Sequence, residues 1–526
     1  MFFKSTNKQL IILFLLISLF IKIDYRLKPI LECCNDDFDY YIHAETTIID
    51  YDFKYENQLK GFEKSRNYIN EKPSPIGFYG TGLLSSPFLK IGYILDNFLD
   101  SGNQKLYSNK VIFYSFSSIF YFIFTLLIFK KINRLFKNPI SDMKLLIILL
   151  GTGLPYYAFE RYSMTHVYDT FLTTYLIYFL ICFYKQGDIK NIFGSSILIL
   201  LTAITRWTNY QIFFLPLLIQ KLFFPNSKYR LRKNYSFYIL STLSILIFLL
   251  HTKLIWGIYT FNPRKLYNDH EFVSYYFSSI LDNPLIFIFN NITDAINTLF
   301  THEFGVFWFS PVIFVGVTFI FIAKKINIKI RITIFVIFAY YFSLVNVWQS
   351  TANAYGFRYL FPLISLSILL LFFLKLEKFR FYKVIETYLL IFSILSLFSV
   401  LFFEGWEGSQ LSLFPIENSF GKVEKFVQPN YLIGFLKGFL IMNTYLKILT
   451  TSFLSLICFR LLLYFFEISE LNYFLINLGL PSDNPDFQLF LTKVDSLSLV
   501  SYASVLLLLI LSTYTTFLYF KKEKLF

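Results

Sequence analysis

Apolar blocks of roughly 15–25 residues, separated by short polar or basic stretches, run through most of this chain, and that length spans a bilayer core as a helix. The pattern predicts spans near 110–130, 144–159, 166–184, 190–204, 207–224, 236–257, 304–323, 330–347, 359–375, 385–403, 448–467 and 498–520. A first helix is expected over 9–23, after Lys4 and Lys8. This start resembles a signal peptide, but no small-residue cleavage site follows, so an uncleaved helix is expected. The run 83–98 contains Pro87, Lys90 and Asp96 and suits an interfacial or re-entrant helix better than a span. The pieces 431–443 and 471–480 fit a span or a surface helix, and 481–496 is expected to be a polar linker. The expected fold class is an all-α polytopic membrane protein with about 11–14 transmembrane helices. A β-barrel would instead show short alternating segments.

Composition agrees. The chain is 56% hydrophobic and 16% charged, whereas a soluble domain is nearer a quarter charged. A net charge of +14 would suggest nucleic acid in a soluble protein. Here the basic residues gather in every second inter-helix loop: Lys130 to Lys137, Lys185 to Lys190, Lys221 to Lys233, Lys324 to Arg331 and Lys375 to Lys383. The positive-inside rule places these loops and the N-terminus in the cytoplasm, and no nucleic acid partner is expected. The remaining loops fall outside: 24–108, 155–165, around 205, 258–303, 348–357 and 404–430. Residues 1–403 form the main module, with 24–108 as its long first outer loop, and 404–526 adds an outer loop and further spans. The four cysteines, Cys33, Cys34, Cys182 and Cys458, neither form a disulfide framework nor have zinc-site spacing.

The polar residues that need a partner or a purpose share the outer side. Asn35-Asp36-Asp37-Phe38-Asp39-Tyr40-Tyr41 follows the first helix. Two readings stand. Asn35 or Asp36 caps a helix running on through 37–49, whose dipole favours acids at its start. Alternatively, a carboxylate there serves as a general base, on a face where Asp36, Asp39 and His43 are neighbours. Asp37-Phe38-Asp39 also matches the short D-x-D pattern of enzymes that use cytosolic nucleotide sugars, but this cluster faces the opposite side.

Glu160-Arg161 suits an interfacial ion pair. His166 suits a satisfied polar residue or a site residue, and Asp169 lies a turn inside a span, where acids face a cavity or a partner. Arg206 and Arg358 sit at outer helix ends. Each either snorkels to headgroups or clamps a phosphate, for which a guanidinium fork is suited. His251, Lys253 and Arg264 are placed to join such a clamp, and His302-Glu303 suits a surface or interface role.

The order of these pieces resembles the GT-C superfamily of membrane glycosyltransferases that use polyprenyl-phosphate sugars. The likeness is nearest to bacterial relatives of protein O-mannosyltransferases and of the lipid A aminoarabinose transferase. It rests on the acidic motif 35–41, on Pro75…Gly77…Thr81-Gly82…Pro87, and on Pro155-Tyr156-Tyr157…Ser163-Met164-Thr165-His166. It continues through Thr205-Arg206-Trp207-Thr208-Asn209…Pro216, Gly305…Ser310-Pro311 and Trp348…Gly356-Phe357-Arg358…Pro362. The resemblance covers 30–365. Its acidic pair is Asp-Asp where Asp-Glu is also found, and either Asp36 or Asp37 takes the place of the base.

The resemblance implies a GT-C-like bundle with interfacial helices in the first outer loop. It also implies inverting transfer of a sugar from a polyprenyl-phosphate donor to a hydroxyl of a lipid, glycan or protein. The chemistry falls on the outer face of a membrane, expected to be a bacterial inner membrane with a periplasmic site. Arg206, Arg358, Lys253 and Arg264 bind the lipid phosphate, while Glu160, His166 and Asp169 position the acceptor or a metal. Members differ in metal need, which leaves open a Mg or Mn ion held by Asp36, Asp37, Asp39 and Glu160. Two other classes stay open: an O-antigen-type polymerase or ligase, and a transporter or flippase of lipid-linked glycan.

Overall fold

The computed structural model describes residues 10–11, 14–21, 26–27, 31, 36–60, 68–69, 72–99, 106–136, 138–206, 208–229, 235–260, 284–300, 305–324, 326–348, 357–402, 416–417, 423–424, 452–477 and 485–520. The described chain is all-α apart from two short antiparallel strand pairs, Tyr68–Ile69 with Lys72–Pro73 and Ile416–Glu417 with Val423–Glu424. The helices in chain order begin with α1 (Asp36–Glu45), α2 (Tyr79–Phe98), α3 (Asn109–Arg134), α4 (Asp142–Leu150), α5 (Leu154–Phe159), α6 (His166–Gln186), α7 (Ile189–Thr205), α8 (Leu215–Phe223) and α9 (Tyr235–Trp256). They continue with α10 (Pro284–Phe300), α11 (Val306–Phe309), α12 (Pro311–Ile322), α13 (Ile328–Trp348), α14 (Leu363–Leu376) and α15 (Tyr382–Phe402). The last four are α16 (Phe453–Phe465), α17 (Ile468–Asn477), α18 (Pro485–Ser496) and α19 (Leu499–Phe520).

Among the described residues, five helices are long and apolar enough to cross a bilayer: α3, α6, α9, residues Ile328–Val345 of α13 and Leu499–Tyr519 of α19. This is the character of a membrane protein. Four further apolar helices, α7, α12, α14 and α16, are shorter. The structure corrects several expected spans. The stretch 144–159 divides into α4 and α5 at Gly151-Thr152-Gly153, where Gly153 has φ +81°, a conformation in which a Cβ is strained. The stretch 304–323 breaks at Ser310 before Pro311, and 359–375 opens as a 3-10 turn, Arg358–Leu360, ahead of Pro362. The stretch 207–224 is a 3-10 turn, Tyr210–Phe213, followed by α8 with Pro216 in its first turn. Proline lacks an N–H and belongs at helix starts, so each of these apolar runs is cut where one appears. The expected linker 481–496 contains α18, and the expected outer loop 258–303 contains α10.

α1 ends at Glu45 and continues as a π-helical turn, Thr46–Asp50, closed by Tyr51 in the left-handed region at φ 58°. The expected helix through 37–49 is thus two segments of different winding. α1 packs on α2, α2 on α3, α3 on α6, α6 on α7 and α7 on α9, while α12 lies on α14. α2 approaches α7 so closely that a Cβ on Gly80 would lie 2.8 Å from the Thr205 amide nitrogen.

Asp96 explains the unusual charge in the 83–98 run. Its carboxylate accepts from the Ser108 hydroxyl at 2.7 Å, the Asn109 backbone and side-chain amides at 2.9 Å each, and the Lys110 amide at 3.1 Å. It therefore satisfies the first amides of α3 and places an anion at that helix's positive end. Asp96→Ala should lower stability by about 2 kcal/mol, read as a lower unfolding temperature in detergent.

Candidate functional site

The ends of five elements meet around His166. α1 brings Asp36 and Asp37, and the turn after α5 brings Arg161. α6 starts at His166 and carries Asp169, α7 ends before Arg206, and the 3-10 turn before α14 starts at Arg358. These residues come from widely separated parts of the chain.

Each of three aspartates faces one arginine. Arg161 donates to Asp37 Oδ2 through Nη2 at 2.6 Å and Nε at 3.1 Å, with both side chains buried. Arg358 Nη1 lies 3.1 Å from Asp36 Oδ2, and Asp36 is the most open of the three acids, its side chain 32% exposed. Arg206 Nη1 stands 3.8 Å from Asp169 Oδ2, while Asn209 Nδ2 donates to Asp169 Oδ1 at 2.7 Å. Arg161 thus reaches back to the first acidic cluster.

The surrounding turns are tied down. Ser163 Oγ donates to the Asp37 carbonyl at 2.6 Å and lies 2.9 Å from the Tyr114 hydroxyl. Gln211 Nε2 donates to the Pro362 carbonyl at 2.6 Å, and Tyr341 OH to the Thr208 carbonyl at 2.8 Å. Arg206 and Arg358 both lie against the Tyr359 ring, at 5.2 and 5.5 Å from its centroid. Arg206 Nη1 lies 3.1 Å from His166 Nδ1, and the imidazole packs edge-on against Tyr157 and Phe361.

Asp39 has a different job from the one expected. It is fully buried, and its Oδ2 accepts from the amides of Ile76 at 3.1 Å and Gly77 at 3.2 Å. His43, one turn on, adds a second tie: its Nε2 lies 2.8 Å from the Gly77 carbonyl and so carries the proton, leaving Nδ1 to accept from Tyr55 OH at 2.7 Å. Burial pushes the His43 imidazole down to about 4, so the ring is neutral at ordinary pH. These two side chains fasten the segment 75–77 to α1.

Lys253 does not join the arginines. Its Nζ donates to the Gly257 carbonyl at 2.8 Å and lies over Tyr259, because a lysine in a last helical turn serves that helix's own orphan carbonyls. His251 packs among Phe78, Tyr79, Phe248 and Trp256 instead of in a phosphate clamp. Glu160 is buried at the end of α5. Arg264, His302, Glu303 and Gln349 lie outside the described residues.

Asp37 is held by Arg161, Asp36 by Arg358 and Asp39 by backbone amides, and no group of three metal-ligating side chains occurs among the described residues. What the arrangement can do is hold an anion with guanidinium groups and present Asp36 as the accessible carboxylate. Comparison of the chain with protein-family models, curated proteins and solved structures finds no match.

Burial raises the Asp37 carboxyl to about 6, with Arg161 pulling the other way. A carboxyl raised above its ordinary value of 3.8 contributes most to stability below that value, and the contribution is lost as pH rises through about 6. Arg161→Met removes the countercharge and deepens the loss. Its destabilisation should grow from pH 5 to pH 8 and reach about 3–5 kcal/mol once Asp37 is ionised. Thermal unfolding of both proteins across that range checks this, and a difference that shrinks with pH contradicts it.

Proposed function

We propose that this protein is an inverting membrane glycosyltransferase of the GT-C kind, taking a sugar from a polyprenyl-phosphate donor. The observation that carries the reading is the Asp36–Arg358 pair, with an open carboxylate, standing beside Arg206 and His166 at one end of a set of membrane helices. A base and a phosphate clamp are the two things this reaction asks of a protein, and both chemistries meet here. The full GT-C bundle of about 11–14 spans and an outward-facing site in a bacterial inner membrane belong to the same proposal.

In this mechanism Asp36 takes the proton of an acceptor hydroxyl on a lipid, glycan or protein. The acceptor oxygen forms a bond to the anomeric carbon from the face opposite the phosphate. The bond from that carbon to the phosphate oxygen breaks, and the electron pair leaves with the polyprenyl phosphate. The anomeric configuration inverts. Arg206 and Arg358 stabilise the charge that develops on the leaving group. Asp36 is preferred to Asp37 because Asp37 is buried and bound twice by Arg161. Asp169, itself held by Asn209, faces Arg206 and steadies it.

Asp36→Asn should keep the fold and the donor affinity while lowering turnover about 10²–10⁴-fold, the usual contribution of a general base. The assay is transfer from a lipid-linked sugar in membranes containing normal amounts of protein. Wild-type turnover in both Asp36→Asn and Asp37→Asn would end the assignment of the base to this cluster.

A further inference from the structure

His166 is 2% exposed, and its Nε2 has no hydrogen-bond partner among the described residues. Its tautomer follows from its other nitrogen. A guanidinium can only donate, so the 3.1 Å contact from Arg206 Nη1 makes Nδ1 an acceptor. Nδ1 therefore carries no proton, and the proton of the ring sits on Nε2. The result is a buried N–H donor with nothing to receive it. Leaving such a group unmet is costly, so a partner is expected when the site is filled.

A second donor shares the condition. Arg358 Nε is buried and has no partner among the described residues, although Nη1 of the same guanidinium reaches Asp36. These two groups are donors in the cluster that contains Arg206, whose buried acceptors without a hydrogen bond, Asp169 Oδ2 and Asn209 Oδ1, belong to the Asp169–Asn209 pair beside Arg206. His166 also lies within the electrostatic reach of Arg161, Arg206 and Arg358. A hydroxyl-bearing ligand would bring donors of its own. A ligand made of acceptors and carrying negative charge suits these two donors.

We infer that His166 Nε2–H and Arg358 Nε–H, reinforced by the Arg206 charge, form a socket for a phosphate oxyanion. The inference rests on the glycosyltransferase reading for the identity of that phosphate as a donor headgroup. It moves His166 from the acceptor side of the site, where the resemblance put it, to the leaving-group side. It also gives Arg358 two tasks at once: one edge holds the Asp36 carboxylate and Nε holds the phosphate. One guanidinium would then set the spacing between base and leaving group.

The test uses the full chain in nanodiscs, with inorganic phosphate and a polyprenyl monophosphate as separate probes. His166→Phe removes the donor, and His166→Gln restores an N–H at a similar reach. Arg358→Lys keeps the charge and loses Nε. Binding of the lipid phosphate should weaken about 10- to 100-fold in His166→Phe, as expected for a hydrogen bond to a charged group, and recover most of that in His166→Gln. Arg358→Lys should weaken it similarly, which serves if His166→Phe fails to fold. In ¹⁵N-histidine spectra, phosphate should shift one Nε2–H signal that is missing from His166→Gln.

Competition by inorganic phosphate supports a socket for the headgroup alone. Binding of the lipid phosphate without such competition supports a socket read together with the lipid chain. Wild-type affinity in a folded His166→Phe, or binding of neither probe by the wild type, overturns the inference. Lipid-phosphate binding that depends on His166 but comes with no sugar transfer leaves the socket standing and removes the glycosyltransferase reading.

Discussion

The buried pair between Asp37 and Arg161 is the constraint on which the rest of the site depends. It joins the start of α1 to the turn between α5 and α6, two stretches more than a hundred residues apart. Two charges out of water are tolerated only when each meets the other in good geometry, and the double contact from Arg161 supplies it. With that turn held, Ser163 closes on the Asp37 carbonyl and α6 begins with His166 pointed at Arg206. Asp36, the next residue on α1, is thereby carried to Arg358.

The acids of the first cluster divide their work according to burial. Asp39 is the most enclosed and serves the backbone, holding residues 76 and 77 against α1. Asp37 is enclosed and serves a guanidinium. Asp36 is the most open and is the one left to meet a substrate in the proposed reaction. A base must be both held and reachable, and only the first position of the helix combines the two.

The arginines show a parallel division. Arg161 is consumed by structure, Arg206 is steadied by Asp169 and by the ring of Tyr359, and Arg358 shares that ring while facing Asp36. Three acids against three arginines leave little net charge in the cluster. In the proposed reaction a phosphate on Arg358 Nε would leave Nη1 on Asp36, so the leaving group and the base would be positioned through one guanidinium.

The all-α membrane character, the placement of α3, α6, α7 and α9, and the interest of Asp36, His166, Asp169, Arg206 and Arg358 were legible from apolar block lengths and from charges misplaced in them. Such residues stand out because isolated charges near a bilayer carry a large desolvation cost, which no local pattern relieves. The breaks at Gly153, Ser310 and Pro362 were marked by Gly and Pro but hidden by the apolar runs around them. Pairings were not legible. Nothing local sends Arg161 to Asp37, sends Asp39 to the amides of 76 and 77, or turns Lys253 to its own helix end. Those choices compare the cost of burial at one place with the partners that packing brings there, and packing joins residues far apart in the chain. Sequence alone determined which groups must find partners, and the tertiary structure decided which partners they found.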